Sequence, residues 1–125
     1  MAAPDVVYEI WRFRLYSAFE RIYIRIVRVL SKGTLRAFWQ KHPDSKGPLS
    51  AWHSEVKAAK WKSFSDIRAR FNSADWVGDG RVVFNIGGNN YRLVVRFDFI
   101  WQMAFVCFIG THAEYDKIDA KTVIL

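Results

Sequence analysis

A clear alternation of apolar and polar side chains over residues 91–99, interrupted only at Val94, predicts a β-strand that buries one face. Arg92 and Arg96 lie on its polar face, together with Val94 and Asp98. A strand rises ~3.3 Å per residue, so the two arginines stand roughly 13 Å apart, a spacing that could hold two successive phosphates. The other face is expected to pack against helices, and it consists of Tyr91, Leu93, Val95, Phe97 and Phe99.

Two further apolar runs, at residues 81–86 and 103–109, predict strands before and after this one. Glycine-rich turns at residues 78–80 and 87–90 mark the ends of the first of these runs. The second half of the chain is therefore predicted to be a β-meander. Its last strand is apolar on both faces, so both sides of that strand are expected to be covered.

The segment after this last strand, residues 110–117, contains a histidine, a tyrosine and three charged residues. A histidine at a strand end can transfer protons near neutral pH, and Tyr115 lies on the same side as His112 if the chain turns into a helix. The alternative is an ordinary polar turn from strand to helix. If the alternation of the strand continues, His112 emerges on the face of Ala104, Val106 and Phe108.

The first half of the chain has the helical period after a short strand at residues 27–30. Thr34 is the expected N-cap of a first helix, which ends before the loop at residues 43–47. Pro48 suits the first turn of a second helix. A third helix is predicted to begin at Ser63, which has capping-box spacing to Asp66.

Residues 1–26 are rich in apolar and aromatic side chains, but five charged residues interrupt them after residue 10. The segment is too charged for a membrane span, and it lacks the order of regions in a signal peptide. Its loose helical stripe fits an amphipathic helix on the core, on a partner or on a membrane surface, of which packing on the core is favoured.

The chain is basic, with 19 Lys and Arg residues against 12 Asp and Glu residues in 125 positions, and this favours a polyanionic partner, above all nucleic acid. The single cysteine, Cys107, excludes an internal disulfide bond and fits a reducing cytosol. Three scattered histidines form no metal-binding pattern. A cluster of cations near the second and third helices is either a solvated helix face or a binding surface, and it comprises Lys57, Lys60, Lys62, Arg68 and Arg70.

Five motifs in a fixed order give the chain a resemblance to a known family. They are RVLS at 28–31, FWQKHPD at 38–44, RVVFNI at 81–86, YRLVV at 91–95 and GTHAEYDKI at 110–118. This series resembles the HigB toxins of bacterial type II toxin–antitoxin systems, within the RelE-like group of mRNA interferases. The likeness extends over residues 28–120.

The resemblance implies an α+β, RelE-like fold with two to three N-terminal helices on a small antiparallel β-sheet. It implies a cytoplasmic endoribonuclease that cuts mRNA, usually in the ribosomal A site, and so inhibits translation and growth. It also implies a HigA-type antitoxin with a helix-turn-helix, through which alone the toxin reaches DNA. No metal, no cofactor and no membrane contact are expected.

The resemblance also implies roles for individual residues. Arg92 corresponds to the arginine that RelE-like enzymes place on the scissile phosphate, and His112 is expected to transfer a proton. Tyr115 is expected to orient or share that proton, or to stack on a base. RNA contacts are expected at Lys57, Lys60, Lys62, Arg68, Arg96 and Lys117. Asn85 is expected either to hydrogen-bond near the site or only to face a turn.

Three positions depart from the family pattern. Cys107 stands where a basic residue is expected, which would weaken RNA contact, and Asn90 stands where lysine is common. The turn at residues 100–102 is apolar, and its exposed tip suits either a contact with the antitoxin or aggregation. The alternative function is therefore an inactive RNA- or ribosome-binding module on the same scaffold.

The N-terminal extension, residues 1–26, is also unlike the family. One hypothesis is that the native protein starts at Val27, so that the toxin domain is residues 27–125 and the extension is an over-extended gene start. The other is a genuine additional helix that packs on the sheet or on the antitoxin.

Overall fold

The computed structural model describes residues 28–30 and 32–125 of the chain. Its strands are β1 (Arg28–Leu30), β2 (Asp75–Gly78), β3 (Arg81–Ile86), β4 (Tyr91–Asp98) and β5 (Met103–Thr111). Its helices are α1 (Lys32–Lys41), a short 3-10 helix (Pro43–Ser45), α2 (Lys46–Ala58), α3 (Phe64–Arg70) and α4 (His112–Tyr115). The predictions for residues 1–26 lie outside the described residues.

The five strands form one sheet in the order β1-β5-β4-β3-β2. Strands β2 to β5 are antiparallel neighbours, as the meander pattern predicts. The edge strand β1 adds to β5 in parallel, with Arg28 opposite Met103. The α+β fold with helices on an antiparallel sheet is thus confirmed, with one short parallel strand added at the edge.

One face of the sheet, here called the inner face, packs against α1, α2 and α3. The apolar side chains of β4 point inward as their alternation predicts, and Leu93 and Val95 are fully buried. Trp52 from α2 meets Phe84 from β3 edge-to-face at 5.5 Å between ring centroids. The helices contribute to this core chiefly Leu35, Leu49, Trp52, Val56 and Ile67.

A β-bulge interrupts the pairing of β4 with β5. Val94 lies opposite Phe108, whereas Val95 lies opposite Val106, so Cys107 is an additional residue between them. An extra residue reverses the alternation beyond it. The prediction that Phe108 shares a face with Val106 is therefore wrong, because Phe108 belongs to the outer face with Cys107 and Val94.

The outer face carries a second, smaller core. Val83, Val94 and Cys107 are buried there beneath the C-terminal segment, residues 115–123. Cys107 is only 5% exposed, so its thiol belongs to this core and does not face solvent. Arg81 is also buried, and its guanidinium donates hydrogen bonds to the backbone oxygens of residues 120 and 123.

Several boundaries in the helical half differ from those predicted. The first helix begins at Lys32 rather than after Thr34, so Gly33 and Thr34 both lie in its first turn. The predicted loop at 43–47 is largely helical, and Ser45 donates its hydroxyl to the carbonyl of His42 at 2.7 Å. Strand β2 was not predicted.

Within the described part of the chain, no helix combines the length and apolar character that crossing a membrane requires.

Two substitutions of Trp52 distinguish the contribution of its packing from the cost of its unpaired indole N–H. Its side chain is 2% exposed, and its indole N–H has no acceptor among the described residues. We expect Trp52→Ala to lower the free energy of unfolding by about 3–5 kcal/mol, because it leaves a large cavity. Trp52→Phe should cost clearly less, because it keeps a ring and removes the unpaired donor. Urea unfolding of both variants tests this, and equal losses would contradict it.

An ion pair between Glu55 of α2 and Arg70 of α3 joins the two helices on the surface. The hydrogen bond from Arg70 holds the pKa of Glu55 below its ordinary value of 4.5. A lowered carboxyl pKa stabilises the fold above the ordinary value, and this contribution is lost as pH falls through the lower folded value.

We therefore expect Glu55→Gln to be less stable than the parent above pH 4.5, with the difference shrinking as the pH falls below that value. Urea unfolding midpoints of parent and variant across this range measure it. Asp79→Asn, in the exposed turn between β2 and β3, serves as the control. A difference that grows on acidification would contradict the assignment.

Candidate active site

The candidate site lies at the end of the sheet where β4 begins and β5 ends. Arg92 pairs with Asn85 on one side and with Gly110 on the other. Directly paired residues point to the same side of a sheet, so all three belong to the outer face. Two residues beyond Gly110, the backbone N–H of His112 donates to the carbonyl of Asn90 at 3.1 Å. Arg92 on β4 and His112, which directly follows β5, therefore lie at the same end of the sheet.

The guanidinium of Arg92 is held by the turn between β3 and β4. It donates to the side-chain oxygen of Asn89 at 2.7 Å and to the backbone oxygens of Asn89 and Tyr91, each at 3.3 Å. Among the residues that the structure describes, no carboxylate forms an ion pair with Arg92. Its positive charge is thus positioned by neutral acceptors and is available to an anion.

A capping box begins α4 and positions His112 as its first residue. The hydroxyl of Thr111 accepts from the backbone N–H of Glu114 at 3.1 Å, and the Glu114 carboxylate accepts from the backbone N–H of Thr111 at 2.9 Å. A side chain on Gly110 would lie 2.5 Å from the ring of Phe108 and 2.8 Å from this carboxylate. Any larger residue at position 110 would therefore force the side chain of Phe108 or of Glu114 to move, which would disturb the capping box.

One turn later along α4, Asp116 faces the imidazole of His112. Its Oδ2 lies 3.3 Å from Nδ1, and the histidine side chain remains 46% exposed. A carboxylate at Nδ1 favours the tautomer that carries a proton there, which leaves Nε2 free to accept a proton. The exposed face of the ring can therefore act as a base.

Tyr115 is half-buried between this site and the small outer core, with its ring 6.3 Å from that of Phe108. Burial raises the pKa of its phenol, and the carboxylates of Asp75, Asp116 and Asp119 act in the same direction. The nearby Arg92 opposes this rise in pKa. Tyr115 therefore stays protonated at neutral pH and can donate a hydrogen bond beside the Arg92 cation.

The cations predicted to bind RNA fall into two groups. Arg96 shares the outer face with Arg92, and its guanidinium lies over the ring of Phe105 at 4.6 Å. Lys117 is exposed directly after α4. The other four are exposed on the helical layer, which covers the opposite face of the sheet, so the structure does not bring them to Arg92: Lys57, Lys60, Lys62 and Arg68.

Two residues of the site, Asn89 and Asp116, were not predicted from the sequence. The spacing of four residues between His112 and Asp116, after a Thr-x-x-Glu capping signature, is the signal that could have identified Asp116. The contact of Asn89 with Arg92 depends on how the turn between β3 and β4 closes, and it has no comparable signal.

Known proteins match the part of the chain that contains this site. The family model HigB_toxin, described as the RelE-like toxic component of a toxin–antitoxin system, matches residues 45–118. The mRNA interferase toxin HigB of Escherichia coli K12 is 29% identical over 96 residues, which cover 75% of this chain and 92% of that protein.

Two further relatives show the same range of similarity. The mRNA interferase HigB of Escherichia coli O6:H1 is 26% identical over 99 residues, covering 74% of this chain and 91% of that protein. The mRNA interferase HigB of Shigella flexneri is 29% identical over 96 residues, with 75% and 92% covered. Since the family model matches more than half of its residues, this chain belongs to the HigB family of RelE-like toxins.

Proposed function

We propose that this toxin is an endoribonuclease that cleaves mRNA and thereby inhibits translation and growth. The observation that supports the proposal is that Arg92, near the start of β4, lies beside the end of β5, where α4 begins with His112 and ends with Tyr115. RNA cleavage needs a cation, a base and a proton donor, and these three residues are one of each. The relatives named mRNA interferases give the substrate class.

RNA supplies its own nucleophile, which is the 2′-hydroxyl next to the scissile phosphate. In cleavage, the 2′-oxygen forms a bond to phosphorus while the bond from phosphorus to the 5′-oxygen breaks. One proton leaves the 2′-hydroxyl and another reaches the departing 5′-oxygen. The phosphorus centre passes through a more negatively charged state. The enzyme must therefore remove a proton, supply a proton and stabilise negative charge.

Arg92 is the group that binds the scissile phosphate. Its guanidinium can donate two parallel hydrogen bonds to phosphate oxygens. Because Asn89 already holds it in place, little side-chain entropy is lost when the phosphate binds. The added negative charge on the phosphate oxygens then strengthens the interaction, so Arg92 favours the transition state over the bound substrate.

His112 accepts the proton of the 2′-hydroxyl at Nε2, with Asp116 as a positioning residue at Nδ1. The carboxylate orients the ring and stabilises the imidazolium that forms during the step. Tyr115 donates its proton, or a hydrogen bond, towards the departing 5′-oxygen. Its raised pKa keeps the phenol protonated, so it serves as a donor and not as a base.

The remaining cations hold RNA away from the scissile bond. Arg96 and Lys117 flank the site on the outer face and bind neighbouring phosphates of the same strand. The four cations on the helical layer contact a different stretch of RNA, on mRNA or on the ribosome: Lys57, Lys60, Lys62 and Arg68. These contacts are electrostatic, so they weaken as salt concentration rises.

A toxin of this family has an antitoxin partner. We propose an antitoxin of the HigA type, with a helix-turn-helix through which the complex reaches DNA. We also propose that cleavage takes place in the A site of the translating ribosome, which places the protein in the cytoplasm with its substrate. Primer-extension mapping of cut sites with and without translating ribosomes tests the ribosome requirement.

Single substitutions in the site should abolish toxicity. We expect Arg92→Ala and His112→Ala each to lower the rate of mRNA cleavage by roughly 10²–10⁴-fold, because each removes a group that stabilises the transition state or transfers a proton. Induced expression should then no longer stop growth. Growth curves and primer extension on a reporter transcript measure both effects.

Two exposed or half-exposed residues of the helical layer provide matched controls: Arg36→Ala and His53→Ala remove the same groups elsewhere and should leave cleavage unchanged. Equal toxicity of parent, Arg92→Ala and His112→Ala would overturn the site. A parent that leaves growth and transcripts unaffected would instead favour an inactive RNA- or ribosome-binding module.

Asp116 provides a finer test of the mechanism. We expect Asp116→Asn to lower kcat by more than about tenfold with KM unchanged, because the amide does not stabilise the charge of the ring and can hold it in the wrong tautomer. Asp116→Glu should recover part of the rate. Cleavage kinetics on translating ribosomes separate the two constants, and Asp79→Asn is the control. A rise in KM alone would show that Asp116 acts in RNA binding.

A further inference from the structure

The turn between β4 and β5 presents two large apolar side chains to solvent. Ile100 is 87% exposed and Trp101 is 69% exposed. Neither belongs to the candidate active site, and their exposure is unusual for side chains of this size. The family comparison accounts for neither of them.

Hydrogen bonds hold this turn in one conformation. The side-chain amide of Gln102 donates to the backbone oxygens of Trp61 at 2.8 Å and Phe99 at 2.6 Å. The carboxylate of Asp98 accepts from the backbone N–H of Trp101 at 3.0 Å. The exposed pair is therefore carried on a fixed turn that is joined to the loop before α3, and it forms a preformed apolar surface.

The register of β1 brings the start of the described chain to this turn. Strand β1 runs parallel to β5, and Arg28 lies opposite Met103. Met103 directly follows the turn, so the described chain begins, at Arg28, beside the residue at which the turn ends. Residues 1–27 are covalently attached at this point of the sheet.

These tethered residues have the composition that an apolar surface requires. Between residues 6 and 26, apolar and aromatic side chains alternate irregularly with four arginines. The arginines nearest in sequence to Arg28 are Arg21 and Arg25, and Asp98 provides a carboxylate at the base of the turn. The segment thus matches the turn both in apolar character and in charge.

We propose that residues 6–26 pack on the β4–β5 turn and cover Ile100 and Trp101. Because the segment is part of the same chain, its effective concentration at the turn is in the millimolar range, which favours it over a separate molecule at ordinary protein concentrations. A second copy of the chain and the antitoxin are the competing occupants. This inference is independent of the proposed nuclease function.

Limited trypsin digestion of the full chain tests the proposal, since the segment contains Arg12, Arg14, Arg21 and Arg25 as cleavage sites. An Arg92→Ala, His112→Ala background limits toxicity during production. We expect cleavage in this segment to be at least tenfold slower than in a free peptide of residues 1–27. The double substitution Ile100→Ser, Trp101→Ser should raise the rate by at least fivefold.

Trp76→Ser is the matched control, because Trp76 is a 46% exposed tryptophan on β2, at the other edge of the sheet. It should leave cleavage in the segment unchanged, and circular dichroism checks that every variant is folded. Cleavage that is as fast as in the free peptide, or that the double substitution does not alter, would overturn the proposal.

Sedimentation velocity tests whether a second copy of the chain occupies the turn. A dimer of the full chain that dissociates on Ile100→Ser, Trp101→Ser would assign the turn to a second copy and overturn the proposal. The intact mass of the endogenous protein addresses the start of the chain. A mass that includes residues 1–26 agrees with the proposal, whereas a protein that begins at Val27 would overturn it.

Discussion

A single additional residue in β5 determines on which side of the sheet the candidate site is built. Without the bulge at Cys107, the alternation of β5 would turn Phe108 inward and change the face of every residue after it. With the bulge, the ring of Phe108 lies next to that of Tyr115, and Gly110 lies beside Arg92 on the outer face. Cys107 lies at the bulge, and its thiol fills space in the small outer core next to Val94. Site geometry and strand packing thus depend on one local feature.

The sequence patterns predicted the elements that follow a regular hydrophobic period. They missed the features that depend on contacts between residues far apart in the chain. The alternation of β4 predicted the inner core because each of its apolar side chains is buried by the same helical layer. The bulge had no such signal, since residues 103–109 are apolar on both faces and either register buries them. Strand β2 is only four residues long and ends in glycine, so its pairing with β3 decides its conformation. Arg92 and His112 were proposed as site residues from sequence motifs. Asp116 could be proposed only once α4 was known to begin at His112.

The C-terminal segment completes the site through a buried cation. Arg81 is 6% exposed, and its guanidinium donates to the backbone oxygens of Ala120 and Val123, which hold the segment against the sheet. Its Nε has no acceptor among the described residues, so this buried charge is only partly compensated. The segment nevertheless stays in place because Val123 and Ala120 cover the small outer core at the same time. Tyr115 owes its burial, and hence its raised pKa, to this arrangement.

The sheet also divides the positive charge of the molecule between two surfaces. Arg92 and Arg96 lie on the outer face, whereas Lys60 and Lys62 lie on the helical layer that covers the inner face. A sheet with a layer of helices is about 20 Å thick, from ~10 Å per packed layer, so one extended RNA strand cannot touch both groups without bending around an edge. A substrate held on both surfaces must therefore present RNA from two directions. Structured RNA that surrounds an mRNA strand meets this condition, and the net charge of +7 suits a polyanionic partner.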